Sequence, residues 1–564
     1  MTEHDRWVAI GSMMAIAAGA VLTGWAGWWL AARFSGAEPL PGGPPDTIKA
    51  MIDGEASWPM AATWWTVALL LVLIVTVFAV FRGPREPVDR AAKRLPRKGL
   101  ARYRPGRKGA QGPVIGKVVT GRRRGQTIAM TTEDQAVIIA GPRVGKTRSI
   151  AIPAIIGHTE GPLIVTSNKR DIADAAARRP GNGQVWLLDP QQLASDGIPT
   201  WWWDPLATAD TVSGAKRLAA LWAHAARDPG AKTDAYFDNA GEQLLAAVLL
   251  AASLDGGGVR QAARWLQDID NQAAQNALRA GGIDILASDL EATQGLPDKQ
   301  RAGVVGTAAK ALGWVADPDI LRWAENPHGD LDLFDPLAFV HSNDTLILIS
   351  REGEASASGL VTAMTAAVLR TAESEAASRP DGRCDPPILG VLDEAANVCR
   401  WRELPDLYSH FGSRGIMLMS FFQSWAQIES AFTKEGAEKL WSAANVRAYL
   451  GGVSDTQFLK RLSDLSGHYE HRTNSSSLSG QGTTRSRSQQ RREQLTVAEL
   501  AAMPPGRALV LLSAASPVVA ETSQYNDRDL APETADTPPS PIGGGPEPDG
   551  NPTPNPIPTE EVGI

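Results

Sequence analysis

A chain of 564 residues, 43% hydrophobic and 21% charged, has room for two or three domains and a sizeable core, which excludes a small disulfide-stapled or low-complexity protein. The formal net charge of −7 hides an asymmetry: Arg82 to Arg124 holds 15 Lys/Arg against 2 acids, whereas Asp527 onward holds 8 Asp/Glu and 1 Arg. A basic belt suits anionic lipid head groups or nucleic acid, and an acidic tail suits solvation. The two cysteines, Cys384 and Cys399, form no spaced cluster and read as free thiols rather than metal ligands.

Residues 7–32 carry no charged side chain and are about as long as a helix needs to cross hydrocarbon; residues 56–81 repeat the pattern around Val67 to Val75. Both read as membrane spans, since the first has too long an apolar run and too few basic residues before it for a cleaved signal peptide. The acids Glu38, Asp46, Asp53 and Glu55 lie between the two, and Arg82, Arg85, Arg90, Lys93, Arg94, Arg97 and Lys98 come after the second. That asymmetry predicts a multi-pass inner-membrane protein with both termini in the cytoplasm. Residues 82–112, basic and broken by prolines, read as a linker along the inner leaflet.

Strands are predicted over Val114 to Thr120 and Ile128 to Thr131, where the soluble part begins. The stretch Gln135 to Ile139 is an apolar, β-branched run; Ala140-Gly141-Pro142-Arg143-Val144-Gly145-Lys146-Thr147-Arg148 comes next, and then a further apolar segment. Strand, phosphate loop and helix N-terminus are the economical reading. Backbone N–H groups from Gly141, Pro142, Arg143, Val144, Gly145, Lys146 and Thr147 form the cradle (Pro142 without a donor of its own), with Arg148 entering the helix. Lys146 reaches the β- and γ-phosphates of a nucleotide and the Thr147 hydroxyl sits on Mg²⁺. Ala140 stands where the pattern G-x-x-x-x-G-K-[ST] has its first glycine.

After this loop the chain alternates as an α/β fold does: a strand at Gly161 to Thr166, a helix at Asp171 to Arg178, a strand at Gln184 to Leu188. From Asp210 to Asp335 the period is helical throughout, including Asp234 to Ser253 and Val259 to Ala280, which reads as an inserted all-α domain. Strands resume at Asp344 to Ile349. The run Pro387 to Leu392 ends in Asp393-Glu394, a strand tip with one acid for magnesium and a second to orient an attacking water. Ile416 to Phe422 is another strand, and Gln423 at its end lies beside the acids if the two strands are neighbours, placed to sense a γ-phosphate. Arg414 either serves a neighbouring subunit's nucleotide or pairs with a surface acid. Further strands are read at Tyr449 to Val453 and Ala508 to Leu512, with a helix at Asp455 to Ser466. Residues 472–492, rich in Ser, Thr, Gly and Arg, read as a flexible basic loop, solvated or in contact with nucleic-acid phosphate. From Ala531 onward, 10 prolines in 34 residues exclude a packed core.

In this order the motifs resemble the coupling proteins of type IV secretion and conjugation, the TraG/TraD class. The likeness includes Thr166-Ser167-Asn168-Lys169, Trp203-Asp204-Pro205-Leu206, Leu392-Asp393-Glu394, Ser413-Arg414-Gly415-Ile416 and Met503-Pro504-Pro505-Gly506-Arg507-Ala508. The resemblance implies a RecA-like P-loop NTPase domain with an inserted all-α domain, preceded by two transmembrane helices. The segments would be 1–81 for the spans, 82–112 for the linker, 113–209 and 336–529 for the two parts of the nucleotide-binding domain, 210–335 for the all-α domain and 530–564 for a disordered tail. It further implies a homo-hexameric ATPase, using ATP and Mg²⁺, that passes a relaxase-bound single DNA strand or protein substrates to a secretion channel. On that basis Lys146, Glu394, Gln423 and Arg414 carry catalysis, and Thr147 and Asp393 the metal. Two other readings stay open: a double-stranded DNA pump of the FtsK type, and a receptor that binds nucleotide without pumping.

Overall fold

The computed structural model describes residues 19, 21–39, 42–81, 87–95, 98–106, 110–120, 123–227, 234–353, 356–479, 482–523 and 525. They fall into two units, Met1–Glu86 and Pro87–Ile564.

In the first unit a helix over residues 21–34 is succeeded by helices Pro44–Ile52 and Met60–Phe81. Trp28, Ala31 and Ala62 bury one another, and Trp28 meets Trp58 edge-on at 5.7 Å. Among the described residues no helix is long and apolar enough to cross a membrane. This corrects the expectation of two transmembrane helices and of a multi-pass inner-membrane location with both termini cytoplasmic. The first expected span is described as helix only over residues 21–34, about 21 Å of rise where hydrocarbon needs about 30 Å. Its earlier part lies outside the described residues, and in the second helix the described side chains end at Val72.

In the second unit the strands are β1 Val114–Val118, β2 Thr127–Ala129, β3 Ala136–Ile139, β4 Leu163–Ser167, β5 Val185–Leu188, β6 Trp201–Trp202, β7 Asp332–Leu333, β8 Thr345–Ile349, β9 Ile388–Leu392, β10 Ile416–Phe422, β11 Val446–Tyr449, β12 His468–Ser479, β13 Gly482–Glu493, β14 Arg507–Leu512 and β15 Ala515–Glu521. One 11-stranded sheet has the order β2-β1-β15-β14-β11-β3-β10-β9-β4-β8-β5. From β11 to β5 every neighbouring pair is parallel, and from β11 through β14, β15 and β1 to β2 every pair is antiparallel. The parallel strands β3, β4, β8, β9 and β10 are buried along their whole length, as a sheet covered on both faces requires. Their unbroken apolar runs are why the sequence located them.

The helical stretch leaves the sheet after β5 and comes back before β8. Its way out, β6, and its way back, β7, pair in parallel with each other. Trp186 on β5 meets Trp201 at 5.6 Å and Phe334 at 5.2 Å, so aromatic edges tie exit and return to the sheet's end. Helix Ala235–Leu254, capped by the Asp234 carboxylate on the Tyr236 and Phe237 N–H groups, buries Leu244 to Ala252. The single helix expected over Val259 to Ala280 is two, Val259–Gln267 and Ala273–Ala280, broken at Asp268 to Gln272.

Two other expectations change. Within the basic stretch expected as a linker, Pro87–Ala92 is a helix whose Val88, Ala91 and Ala92 are buried in the main core, and Asp89 pairs with Arg507 at 3.0 Å. Of residues 472–492, expected as a loop, 472–479 and 482–492 belong to the antiparallel ribbon β12-β13. The acidic tail expected over 530–564 lies outside the described residues.

The centre of the sheet is fastened by a buried amide. Gln135, just before β3, donates from Nε2 to the Ile416 carbonyl at 2.7 Å and accepts at Oε1 from the Leu418 N–H at 2.8 Å. Its own carbonyl accepts from the Val446 N–H of β11 at 3.0 Å. One residue thus sets the register of the three strands β11, β3 and β10. Gln135→Leu leaves two backbone groups of β10 unpaired in the core and is expected to lower the unfolding free energy by about 2–4 kcal/mol. Denaturant titration measures it, and a loss under about 0.5 kcal/mol would contradict the role.

Candidate active site

Parallel strands end together, so the segments leaving β3, β10, β9 and β4 meet at one edge of the sheet. The segment leaving β3 is the phosphate loop. Ala140 and Gly141 are held by N–H bonds to the Phe422 and Gly451 carbonyls at 3.0 and 2.9 Å. A Cβ on Gly141 would lie 1.9 Å from the Gly452 carbonyl oxygen, so the glycine one place after the expected position is the one the packing requires. Ala140, itself fully buried, fits without obstruction. Pro142 and Arg143 are exposed, and Val144 is half-buried against Gly452.

The loop turns on two left-handed residues, Arg143 at φ 62 and Gly145 at φ 87. It runs into a short π-helical turn, Thr147–Ala151, continued by helix Ile152–Gly157. Lys146 and Thr147 are buried at its start, and Arg148 is exposed, its carbonyl accepting from the Tyr525 N–H at 3.0 Å. Such an opening presents N–H groups and the positive end of helical dipoles to an anion.

Across from the loop, β9 ends in Asp393 and Glu394, buried to 0% and 2% exposure. Lys146 Nζ pairs with Glu394 Oε1 and lies 3.3 Å from Asp393 Oδ1. Lys169 Nζ lies 3.8 Å from Asp393 Oδ2 and 3.7 Å from Glu394 Oε1. The Ser167 hydroxyl donates to Asp393 Oδ2 at 3.1 Å. Two buried carboxylates without partners would each cost several kcal/mol in lost hydration; two ammonium groups and a hydroxyl offset that cost. Glu394 is itself left-handed, at φ 52 and ψ 43, a conformation that costs a non-glycine residue about 1–3 kcal/mol and clusters at working sites. From β10, Gln423 Nε2 donates to Glu394 Oε2 at 3.0 Å, while its own N–H is held by Gln427 Oε1 at 2.8 Å.

The structure therefore gathers Lys146, Thr147, Asp393, Glu394 and Gln423 from three neighbouring strands. Arg414 is not among them. It precedes β10, at the opposite end of that strand from Gln423, and its Nη1 donates to the Gly382 carbonyl at 3.4 Å. The sequence reading gave no role to Ser167 and Lys169; their signal was the Thr166-Ser167-Asn168-Lys169 run after a strand. The cysteines lie apart from the chemistry: burial pushes the Cys384 thiol up to about 11 and the Cys399 thiol up to about 12, so both stay protonated.

The donor set fits a magnesium nucleotide. Asp393 Oδ1 is buried and accepts no hydrogen bond, with the Lys146 ammonium 3.3 Å away, so it keeps a lone pair that a metal-bound water would complete. The Thr147 hydroxyl is the second oxygen of the hard type magnesium prefers, and the loop amides with Lys146 offer the phosphate contacts.

Residues 387–505 match the family model described as the TraM recognition site of TraD and TraG. Among solved structures, the unbound monoclinic form of the bacterial conjugative coupling protein TrwBdeltaN70 is 16% identical, covering 70% of this chain and 86% of that one with a TM-score of 0.52. The plasmid coupling protein TrwB in complex with a non-hydrolysable ATP analogue is 15% identical, covering 77% and 95% with a TM-score of 0.52. TrwB in complex with ADP and Mg²⁺ is 16% identical, covering 77% and 96%, again with a TM-score of 0.52. A search of curated proteins finds no significant match.

The left-handed turns make a stability prediction. Gly145→Ala, whose Cβ would also come within 3.3 Å of the Ser149 hydroxyl, is expected to cost about 1–2 kcal/mol. Arg143→Gly, which relieves the same strain while freeing the unfolded chain, should stay within about 1 kcal/mol of the parent. Equal losses in denaturant titrations of the two variants would contradict the loop geometry. Residues 387–505 thus carry the signature of the TraM recognition site of TraD and TraG, and across most of its length the chain has the fold of the conjugative coupling protein TrwB.

Proposed function

We propose that the chain is an ATP-driven motor that couples DNA, as a relaxase-bound single strand, or protein substrates to a type IV secretion or conjugation channel. The observation that carries this reading is the convergence of Lys146 with Asp393 and Glu394 at one sheet edge, 3.3 Å separating Lys146 Nζ from Asp393 Oδ1. The TrwB complexes with an ATP analogue and with ADP and Mg²⁺ support ATP and Mg²⁺ as the cofactors. The match to the TraM recognition site of TraD and TraG supports a protein partner of the TraM kind.

A bound magnesium triphosphate supplies the reactive phosphorus and the metal charge that steadies the leaving group. The chain does the rest. Amides of residues 143–147 and Lys146 hold the phosphates, and Thr147 and Asp393 hold the metal. Glu394 accepts the proton of the attacking water. Gln423, bonded to Glu394 at 3.0 Å, orients that carboxylate and links its occupancy to β10 and the helix beginning at Trp425. Lys169 neutralises the second acid when Lys146 turns to phosphate. Arg414 sits at the wrong end of β10 to serve its own subunit's nucleotide, so its proposed contribution is to a neighbour in a homo-hexamer.

Lys146→Ala and Glu394→Gln are expected to lower ATP turnover by about 10²-fold or more, the usual worth of such groups. Glu394→Gln should keep nucleotide binding, and the parent should turn over faster with single-stranded DNA. A parent that binds nucleotide without hydrolysing it would favour a static receptor, and stimulation by duplex alone would favour a double-strand pump.

A further inference from the structure

One place where the helical domain between β6 and β7 meets the sheet domain is the last turn of helix Val212–Ala225, and the segments leaving β9 and β10 both reach it. From β9 the chain passes through Glu394 into a single helical turn, Ala395–Val398, and then to Arg400. The Arg400 guanidinium makes two hydrogen bonds. Its Nε donates to the Ala396 carbonyl at 2.9 Å, which closes the turn behind Glu394, and its Nη1 donates to the Arg227 carbonyl at 3.0 Å, just past the end of helix Val212–Ala225. A rigid planar fork of donors suits such a bridge, and a cation is favoured beside the C-terminal end of a helix. Arg227 passes the link on, since its own guanidinium pairs with Asp238 of helix Ala235–Leu254.

From β10 the chain passes through Gln423 into helix Trp425–Ala443. Thr433 breaks that helix at φ 64 and ψ 172, a backbone region nearly reserved for glycine, so its first part, Trp425 to Phe432, is a separate short rod. The Ala431 carbonyl near the end of this rod lies 3.2 Å from His224 Nε2. Burial pushes the His224 imidazole down to about 4, so the ring is neutral and donates from Nε2 to that carbonyl.

Glu394 and Gln423 are thus joined twice: directly at the nucleotide site, at 3.0 Å, and again through the segments behind them, which dock on one turn of the helical domain. Filling the core does not account for the second junction. Arg400 is half-buried on the wall of a cavity of about 730 Å³ that Trp222, Lys310 and Trp314 also line, so it bridges the two domains beside open space.

We propose that Arg400 is a positioning residue that ties Glu394 to the last turn of helix Val212–Ala225, so that occupancy of the nucleotide site and the conformation of the helical domain form one equilibrium. The proposal rests on nucleotide binding at the proposed site and not on hydrolysis. Coupling of this kind is reciprocal: whatever shifts that turn from the helical side also shifts Glu394.

The test is hydrogen exchange read by mass spectrometry on the full chain, empty and with Mg²⁺ and a non-hydrolysable ATP analogue. Two segments are compared: residues 143–152 at the phosphate loop, and residues 222–227, where the Ala226 and Arg227 N–H groups bond to the Trp222 and His224 carbonyls. In the parent both are expected to change on binding, the second by about 3-fold or more in rate. Arg400→Gln should keep the change at the loop and lose most of the change at 222–227. Arg400→Lys keeps the charge but serves one carbonyl at a time, so it should retain about half of that change, and it decides the matter if Arg400→Gln does not fold. A merely structural role would lower the unfolding midpoint and leave the nucleotide-dependent difference intact. The parent's full response at 222–227 in either variant would therefore overturn the proposal, as would a parent whose loop responds while 222–227 does not. No response at the loop in the parent would instead remove the nucleotide reading, and the proposal with it.

Discussion

Two carboxylates buried at the end of one strand have to be neutralised, and that electrostatic demand organises the edge of this sheet. Asp393 and Glu394 have almost no exposure and meet the ammonium groups of Lys146 and Lys169, which come from the ends of two other strands. The order β3-β10-β9-β4 is what makes this possible. With strands about 4.8 Å apart, β3 and β9 stand about 10 Å from each other, a gap that Lys146 spans and that Gln423 at the end of β10 fills.

The same arrangement implies a competition. On the motor reading, a bound triphosphate would draw the Lys146 ammonium from Glu394 and free that carboxylate for a water. Lys169, about 39% exposed, is free enough to track the charge that remains. The hydrogen bond from Gln423 to Glu394 ties that carboxylate to β10, whose register with β3 is set by Gln135. Gln423 at one end of β10 and Arg414 at its other end are then joined by a single buried strand.

Much of this was legible in the sequence because burial and special backbone both leave marks. Strands covered on two faces must be unbroken apolar runs, which located β3, β4, β8, β9 and β10 to within a residue or two; acids at a strand tip are common by themselves and gained meaning here only because a Gly-Lys-Thr loop precedes them in an α/β alternation. Lys169 escaped because its partners lie on β9, and only the strand order brings them near. The ribbon β12-β13 escaped for a different reason: Ser, Thr and Arg give no hydrophobic alternation, so a ladder of backbone bonds left no periodic trace. β15 was missed because Ala515, Ser516 and Pro517 open it weakly. The expected membrane spans rested on length and apolarity of the N-terminal segments, and among the described residues no helix meets both requirements.

The most direct test of the central claim is a structure of the chain with Mg²⁺ and a non-hydrolysable ATP analogue. Lys146 Nζ is expected to leave Glu394 for the phosphates, with the metal held by Thr147 and, directly or through water, by Asp393. An analogue bound elsewhere, or bound with Lys146 still paired to Glu394, would contradict it.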